Sequence, residues 1–281
     1  MAKPMKKRDA ESTREYLVKK YDGWFEHPWA REHFGGSDFA NFGYWDDDTQ
    51  SQKEACENLM EKLLVTVPEK TGTILDVACG KGATTRHLTK YWKPENITAI
   101  NISEKQLESG RQNAPGVNFT IMSATDMKFE DATFDNLICV EAAFHFITRK
   151  KFLEEAFRVL KPGGRIMLTD ILSPRWTERW TPMLTLENHI QDPEEYEEIL
   201  KGIGFGEAQI VDTTEPSWNR WNQHLIEFLQ GKVKSGEFPV RKFRQFLLER
   251  LFRSATVRYY LMVAARKPLK PVAVPAPGAA Q

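Results

Sequence analysis

Apolar and polar positions alternate between two spacings from Thr73 onward. Short apolar runs bounded by turn residues are typical of strands, and the stretches between them repeat apolar positions every three or four residues, as helices do. The apolar runs predict strands at 74–77, 97–102, 117–122, 134–140 and 165–171. The helical spacing predicts helices at 83–91, 104–113 and 149–160. We therefore expect an α/β fold with a parallel sheet and helices on both faces.

The rest of the chain predicts a closing edge for this sheet and a cap over it. A helix at 193–203, a strand at 207–212 and a final strand at 256–265 predict an antiparallel pair at one edge. Ligands of such sheets bind beyond the carboxyl ends of the strands, where inserted segments provide contacts. We expect an N-terminal helical cap at 1–66 and a core at 67–266, with helical lid insertions at 173–192 and 215–254. A disordered tail is expected at 267–281.

Composition favours a small-molecule partner. Basic and acidic residues number 39 each, so no strong field attracts nucleic acid or an anionic membrane. No apolar run reaches membrane-spanning length and no secretory signal begins the chain, which predicts a cytoplasmic protein without stable membrane insertion. The three cysteines lack metal-ligand spacing, so we expect reduced buried thiols and no metal. The sequence leaves the oligomeric state open, a homodimer included.

The segment ILDVACGKGATT, residues 74–85, predicts a cofactor-binding junction. A strand ends near Asp76, a turn contains Gly80 and Gly82, and a helix follows. Glycine lets a ligand approach the backbone closely, and the start of a helix presents unpaired N–H groups. The dinucleotide fingerprint G-x-G-x-x-G needs a further glycine and is incomplete here, so a pyrophosphate ligand is disfavoured.

This junction resembles motif I of class I S-adenosylmethionine-dependent methyltransferases, (V/L)LD-x-G-C-G-x-G, with Ala78 in place of the first glycine. Three further segments resemble the family in order and spacing: AINIS at 99–103, SATDMKFEDATFD at 123–135 and RVLKPGG at 158–164. The resemblance covers residues 73–172. It implies a Rossmann-like seven-stranded methyltransferase sheet and S-adenosyl-L-methionine as cofactor, in the branch that methylates natural products and lipids.

The resemblance also assigns cofactor contacts. Asn101 stands where many nucleoside-binding folds place an acid for the ribose, and Ser123 stands where the family has an acid for the adenine. The NFGYW segment at 41–45 resembles an aromatic motif over the cofactor, although packing of a cap helix explains it about as well. The implied contacts are Tyr44, Asp76, Ala78, Gly80, Gly82, Asn101, Ser123 and Ala124.

The segment VEAAFHFITR, after the fourth predicted strand, contains the candidate catalytic residues. Methyl transfer to a hydroxyl needs alignment of the acceptor and removal of its proton. We expect His145 to take the proton, Asp170 to orient the imidazole, and Glu141 to lie in the same crevice. Similar O-methyltransferases carry E-(S/A)-x-H-H here, which matches His145, whereas a lipid-methylating branch reads V-E-A-S-H and aligns its histidine with Phe144. A histidine that only packs under the cap is the alternative.

The sequence thus predicts an enzyme of secondary metabolism that methylates a hydroxyl of an apolar small molecule by in-line displacement. One alternative is C-methylation of an isoprenoid or sterol-like alkene, with Glu141 and aromatic residues stabilising a carbocation. Another is a protein that binds S-adenosylmethionine without catalysis. Four tryptophans are candidates for the pocket roof or for simple core: Trp176, Trp180, Trp218 and Trp221.

Overall fold

Seven strands form one mixed sheet in the described part of the chain, which comprises residues 10–25, 28–179 and 188–269 of a computed structural model. The strands are β1 Ile74–Val77, β2 Ile97–Asn101, β3 Asn118–Ile121, β4 Phe134–Cys139, β5 Leu160–Leu172, β6 Ala208–Asp212 and β7 Tyr259–Arg266. Their spatial order is β3-β2-β1-β4-β5-β7-β6, and β7 runs antiparallel to both of its neighbours. The predicted seven-stranded sheet with an antiparallel closing pair is confirmed.

Helices cover both faces and the carboxyl edge of this sheet. They are α1 Ala10–Phe25, α2 Pro28–His33, α3 Gln52–Leu64, α4 Ala83–Leu88, α5 Glu104–Asn113, α6 Arg149–Val159, α7 Pro193–Ile203, α8 Arg220–Lys234 and α9 Val240–Ser254. Polar N-caps start several of them, because a side-chain oxygen accepts a hydrogen bond from a backbone N–H three residues later. These caps are Ser51, Ser103, Thr148 and Asp192.

Several predicted boundaries differ from the structure, among them the end of α4, which lies at Leu88 rather than at residue 91, and two strand starts differ for identifiable reasons. Strand β5 begins earlier than predicted, because the backbone of Gly163 and Gly164 pairs with Lys267 at the end of β7. Strand β7 begins later than predicted, because the N–H of Thr256 closes a turn onto the carbonyl of Arg253.

The core lies in two layers, one on each face of the sheet. Successive strand residues point to opposite faces. Leu75 of β1 therefore packs in the layer that contains α6 and α7, whereas Ile74 packs in the layer that contains α3 and α4. Both faces are covered, which explains why the central parallel strands read as continuous apolar runs.

A cavity of about 790 Å³ lies at the carboxyl ends of the parallel strands. It is lined by the β1–α4 turn and by residues that follow β2, β3 and β4, and α1, α8 and α9 contribute side chains from the opposite side. Parts of the predicted lid and tail, residues 180–187 and 270–281, lie outside the described residues, as do 1–9 of the predicted cap. The domain division stays a prediction. In the described residues, every helix is too short or too polar to cross a membrane.

Candidate active site

The turn from β1 to α4 uses left-handed backbone at three positions, with φ of 60° at Ala78, 55° at Gly80 and 78° at Gly82. Ala78 and Gly80 line the cavity. At Ala78 the methyl group opposes the left-handed conformation by about 1 kcal/mol, which glycine would avoid. Gly82 does not line the cavity. A Cβ there would lie 2.8 Å from Cα of Gly110, so this glycine allows α4 and α5 to pack. Its cofactor contact stays a prediction.

Asp76 lies at the base of this turn with 1% of its surface exposed, and it lines the cavity. Its Oδ2 accepts hydrogen bonds from the hydroxyls of Thr84 at 2.8 Å and Thr85 at 2.6 Å, which fixes the first turn of α4. Burial raises its pKa to about 6, although the bonds from Thr85 and Thr84 oppose the shift. A cation bound nearby would favour the ionised form.

Asn101 at the end of β2 lines the cavity, but its side-chain amide forms most of its hydrogen bonds with other groups of the protein. Its Nδ2 donates to the carbonyl of Gly80 at 3.3 Å and to Oε1 of Gln106 at 2.9 Å. Its Oδ1 accepts from the N–H of Ile102 at 2.8 Å. Both amide hydrogens are therefore occupied, and one lone pair of Oδ1 is left to accept a bond from a ligand hydroxyl.

An acidic side chain reaches this strand end from the N-terminal helix. Oδ1 of Asp22, on α1, accepts hydrogen bonds from the hydroxyl of Ser103 at 3.0 Å and from Nε2 of Gln106 at 2.6 Å. Sequence reasoning missed Asp22, because it lies 81 residues before Ser103 and belongs to no motif.

The segment after β3 closes a local turn at the wall of the cavity. Oγ of Ser123 lies 3.1 Å from Oγ1 of Thr125 and accepts from the N–H of Thr125 at 3.3 Å. Ser123 and the buried Ala124 both line the cavity. Because the Ser123 hydroxyl serves this turn, the backbone is the better candidate for contacting a planar base.

Glu141 lies two residues after the end of β4, lines the cavity and joins several elements there. Its φ is 50° and its backbone N–H donates to Oγ1 of Thr169 at 2.8 Å. Oε1 accepts from the N–H of Phe42 and from the hydroxyl of Tyr260, both at 2.6 Å. Burial raises its pKa to about 8, and these two bonds oppose the shift. The carboxyl group therefore ties the NFGYW segment to the sheet.

His145 forms a buried pair with a residue that the sequence did not predict. Its Nε2 lies 2.5 Å from the hydroxyl of Tyr21 on α1, and the tautomer decides which group donates. Burial, then the charges of Lys20 and Arg149, lower the His145 pKa well below its ordinary value, so the imidazole is neutral at pH 7. Burial also raises the pKa of Tyr21, which keeps the phenol protonated. Both side chains line the cavity.

The expectation that Asp170 orients the imidazole of His145 is wrong. The Asp170 carboxylate is fully buried and accepts from Arg149 Nε at 2.7 Å and Nη2 at 3.2 Å. It also accepts from the hydroxyl of Tyr196 at 3.1 Å and from the N–H of Ile171 at 2.8 Å. Asp170 does not line the cavity. It anchors the start of α6 to β5 and α7.

The placement of Tyr44 also differs from expectation. Residues 41–45, which we name the aromatic strap, pack along α3: φ of Gly43 is 80°, and a Cβ there would lie 2.5 Å from Cβ of Ala55. The N–H of Tyr44 donates to the carbonyl of Ala55 at 2.8 Å, and Nζ of Lys62 lies 4.6 Å from its ring centroid. Tyr44 does not line the cavity, whereas the first two residues of the strap do.

Aromatic rings form part of the cavity wall, which we name the aromatic wall. The Phe42 ring lies 5.0 Å from that of Trp218 and 4.3 Å from that of Trp221, and all three residues line the cavity. Of the other two tryptophans expected at the roof, Trp176 is 48% exposed and Trp180 lies outside the described residues.

Several buried polar atoms of cavity-lining residues have no hydrogen-bond partner within the described residues. Such atoms are rare in folded proteins, because each one loses its bonds to water without compensation. They are Oδ1 of Asn41, Nδ1 of His145, Nε1 of Trp218 and Nε1 of Trp221. They comprise one acceptor, two indole donors and an imidazole nitrogen, and because each has almost no accessible surface, a bound molecule would reach them only after a local side-chain movement.

Comparison with known proteins identifies related chains. Residues 75–168 match the family described as "Methyltransferase domain". The chain is 29% identical over 248 residues to the 27-O-demethylrifamycin SV methyltransferase of Amycolatopsis mediterranei, covering 80% of this chain and 89% of that protein. It is 28% identical over 198 residues to the O-methyltransferase cnsE of Penicillium expansum, covering 63% and 68%. The crystal structure of the [4+2]-cyclase SpnF has the same fold, with a TM-score of 0.69 at 21% identity, covering 92% of this chain and 97% of that one.

Proposed function

We propose that this protein, which belongs to the class I S-adenosylmethionine-dependent methyltransferases, methylates a hydroxyl of an apolar small molecule, a natural product or a lipid. The observation that carries the proposal is one cavity of about 790 Å³ that joins the β1–α4 turn to the His145–Tyr21 pair and to an aromatic wall. The O-methyltransferases among its relatives support the hydroxyl acceptor. The cyclase of the same fold shows why the fold alone does not settle the reaction.

The residues at the sheet edge fit S-adenosylmethionine. Asp76 is a buried carboxylate that lines the cavity, and burial raises its pKa. A cationic ligand would offset this desolvation and stabilise the ionised carboxylate. In the proposal Asp76 and the turn at Gly80 hold the methionine part, Oδ1 of Asn101 accepts from the ribose, and the backbone of Ser123 and Ala124 contacts the adenine. When bound, S-adenosylmethionine supplies an electrophilic methyl group on a sulfonium.

His145 is the proposed base. Because its imidazole is neutral, it has a lone pair for the proton of an acceptor hydroxyl at neutral pH, although the lowered pKa makes it a weaker base than a free imidazole. Tyr21, 2.5 Å from Nε2, fixes the imidazole and can exchange its hydrogen bond with the acceptor hydroxyl. General base catalysis of this kind contributes about 100-fold to 10,000-fold. The aromatic wall and α1 exclude water from the same space, which strengthens the electrostatic interactions there.

C-methylation is the second candidate, and the aromatic wall is the observation that favours it. The rings of Phe42, Trp218 and Trp221 can stabilise a carbocation through their faces. Glu141 is less suited to this role than the sequence indicated, because a pKa of about 8 leaves its carboxyl group mostly uncharged at pH 7. Locating the new methyl group by NMR, on oxygen or on carbon, separates the two reactions.

The first test is calorimetric titration of the protein with S-adenosylmethionine and S-adenosylhomocysteine. We expect micromolar binding that is lost in an Asp76→Ala, Gly80→Val variant. Asp126→Ala is the matched control, because this exposed carboxylate pairs with Lys128 on the surface and does not line the cavity. No binding by a folded wild type would overturn the proposal. Binding would justify a screen of hydroxyl acceptors with His145→Ala as the inactive reference.

A further inference from the structure

Cationic side chains gather where α1 and α9 line the cavity. The four that line it are Arg14, Lys20, Arg250 and Arg253. Four acidic residues line the cavity as well: Glu11, Asp38, Asp76 and Glu141. Only Glu11 belongs to α1 or α9. Asp38 is engaged elsewhere, since it pairs with Lys81 at 3.5 Å and accepts from Asn113 at 2.8 Å. Among the lining residues of α1 and α9, four cations therefore face one carboxylate, although the whole chain has a formal net charge of zero.

Arg250 is the most constrained of these side chains. Its guanidinium carbon lies 4.8 Å from the ring centroid of Trp221 and 5.0 Å from that of Phe246, and Nη1 donates to Oδ1 of Asn222 at 3.1 Å. Within the described residues no carboxylate forms an ion pair with it. Burial, then the charge of Arg253, lower its pKa to about 10, and Glu249 opposes this shift. A half-buried guanidinium without a counter-charge is unfavourable unless a ligand provides one.

Arg253 and Arg14 line the cavity with exposed side chains and also form no ion pair with a carboxylate that the structure describes. Arg253 also lies close enough to Lys20 to lower the pKa of that ammonium, after burial. Lys20 in turn lowers the pKa of His145, after burial. The positive charge therefore extends from Arg250 on α9 to the immediate surroundings of the proposed base.

We propose that the acceptor is an apolar molecule with an acidic oxyanion, a carboxylate or a phosphate, and that Arg250 and Arg253 bind this group. This inference rests on the proposed function, since it names the class of molecule that the cavity accepts. Guanidinium groups bind carboxylates and phosphates through paired hydrogen bonds, which are stronger in a desolvated, aromatic setting. The wall of Phe42, Trp218 and Trp221 would hold the apolar body, and the oxyanion would supply the missing counter-charge.

The test measures binding of matched ligands to the full chain in the absence of cofactor, so it does not depend on methyl transfer. Decyl phosphate, decanoate and 1-decanol share one apolar body and differ in charge. We expect one or both anions to bind at least about tenfold more tightly than the alcohol by calorimetry. The double variant Arg250→Gln, Arg253→Gln should lose about tenfold to 100-fold in anion affinity and keep its alcohol affinity within about twofold.

Arg244→Gln is the control, because Arg244 is an exposed arginine of α9 that does not line the cavity. It should keep the wild-type preference for anions. Equal binding of anions and alcohol by the wild type, a preference that survives in the double variant, or an equal loss in Arg244→Gln would each overturn the inference. Preference for decyl phosphate or for decanoate identifies the oxyanion. An anion preference in a protein that binds no S-adenosylhomocysteine would refute the proposed function and leave this site standing.

Discussion

Two groups of cavity-lining residues differ in how their polar groups are satisfied. We name the residues at and after the ends of β1, β2 and β3 the sheet end, and we name the aromatic strap, His145, residues 218–221, α1 and α9 the cap end. At the sheet end, the side chains of Asp76, Asn101 and Ser123 all have hydrogen-bond partners within the protein. At the cap end, four buried polar atoms have no partner in the described residues, and Arg250 has no carboxylate partner there. Unsatisfied polar atoms just behind a cavity wall are groups that a ligand can complete once a small side-chain movement exposes them.

This difference indicates that the sheet end binds the cofactor and that the cap end selects the acceptor. Side chains that already hold one another fix the geometry of a site before a ligand arrives, which suits a cofactor that is the same in every turnover. Polar side chains without a hydrogen-bond partner in the protein discriminate between ligands, because the wrong ligand leaves them unpaired. Substitutions at the sheet end should therefore change folding and cofactor affinity, and substitutions at the cap end should change rate and acceptor choice.

The sharpest test of this division is His145→Ala. We expect kcat with a hydroxyl acceptor to fall by about 100-fold to 10,000-fold, because the base is lost, while the Kd for S-adenosylhomocysteine changes by less than about twofold. Tyr21→Phe should lower kcat less, since it removes only the hydroxyl that fixes the imidazole. Steady-state kinetics and calorimetry give both quantities.

His87→Ala is the control for this variant, because His87 pairs with Glu61 and does not line the cavity. Its kcat should stay at the wild-type value. If His145→Ala weakened S-adenosylhomocysteine as much as it slowed turnover, the two ends of the cavity would not be separable.

Arg149→Leu tests whether Asp170 belongs to the scaffold. The substitution leaves a fully buried carboxylate without its ion-pair partner, so we expect the free energy of unfolding to fall by about 3–5 kcal/mol. Urea denaturation measures this change. Arg111→Leu, which breaks the exposed pair with Glu104, should cost less than about 1 kcal/mol. An Arg149→Leu protein that is as stable as the wild type but has a much lower kcat would indicate that Asp170 takes part in catalysis.

Glu141 lies where the two ends meet, and its titration predicts a pH dependence of stability. Its folded pKa of about 8 exceeds its ordinary value of 4.5, so the folded state holds more protons between those values. Stability should therefore fall as the pH rises from 4.5 to 8, by about 2–3 kcal/mol between pH 6 and pH 8. Glu141→Gln keeps an acceptor for Phe42 and Tyr260 and should flatten the profile there.

Urea denaturation across that pH range measures the effect. Asp76, with a pKa of about 6, contributes to the pH dependence of stability mainly below pH 6. Glu155→Gln serves as the control, because hydrogen bonds from Arg158 lower the pKa of Glu155 and place its titration at lower pH. A Glu141→Gln profile as steep as that of the wild type would mean that Glu141 is ionised in the fold.

The sheet and the cofactor turn could be predicted from sequence because their signals are contiguous. The apolar runs of β1 to β5 and the glycine turn after Asp76 lie within 100 residues, and their order fixes the topology. The cap end could not be predicted in this way. Tyr21 and Arg250 come from helices that lie 124 residues before and 105 residues after His145, and only packing brings them to the cavity.

The error at Asp170 has a related cause. The ends of β4 and β5 lie at one sheet edge, which predicts that His145 and Asp170 are close. Their closeness does not decide which neighbouring side chain forms hydrogen bonds with the buried carboxylate. Arg149 follows His145 by four positions and offers a fork of guanidinium donors, which matches the carboxylate better than a neutral imidazole does.

The smallest predicted effect concerns Ala78, where the sheet end departs from the glycine of motif I. Because φ is 60° there, Ala78→Gly should relieve the left-handed strain and raise the free energy of unfolding by about 0.5–1 kcal/mol. Ala132→Gly, at a φ of 53° in a turn that does not line the cavity, should stabilise the protein similarly without changing the Kd for S-adenosylhomocysteine. Thermal denaturation and calorimetry measure both variants. If Ala78→Gly stabilised the fold but weakened S-adenosylhomocysteine while Ala132→Gly did not, the methyl group of Ala78 would be a ligand contact, and the sheet end would discriminate between ligands after all.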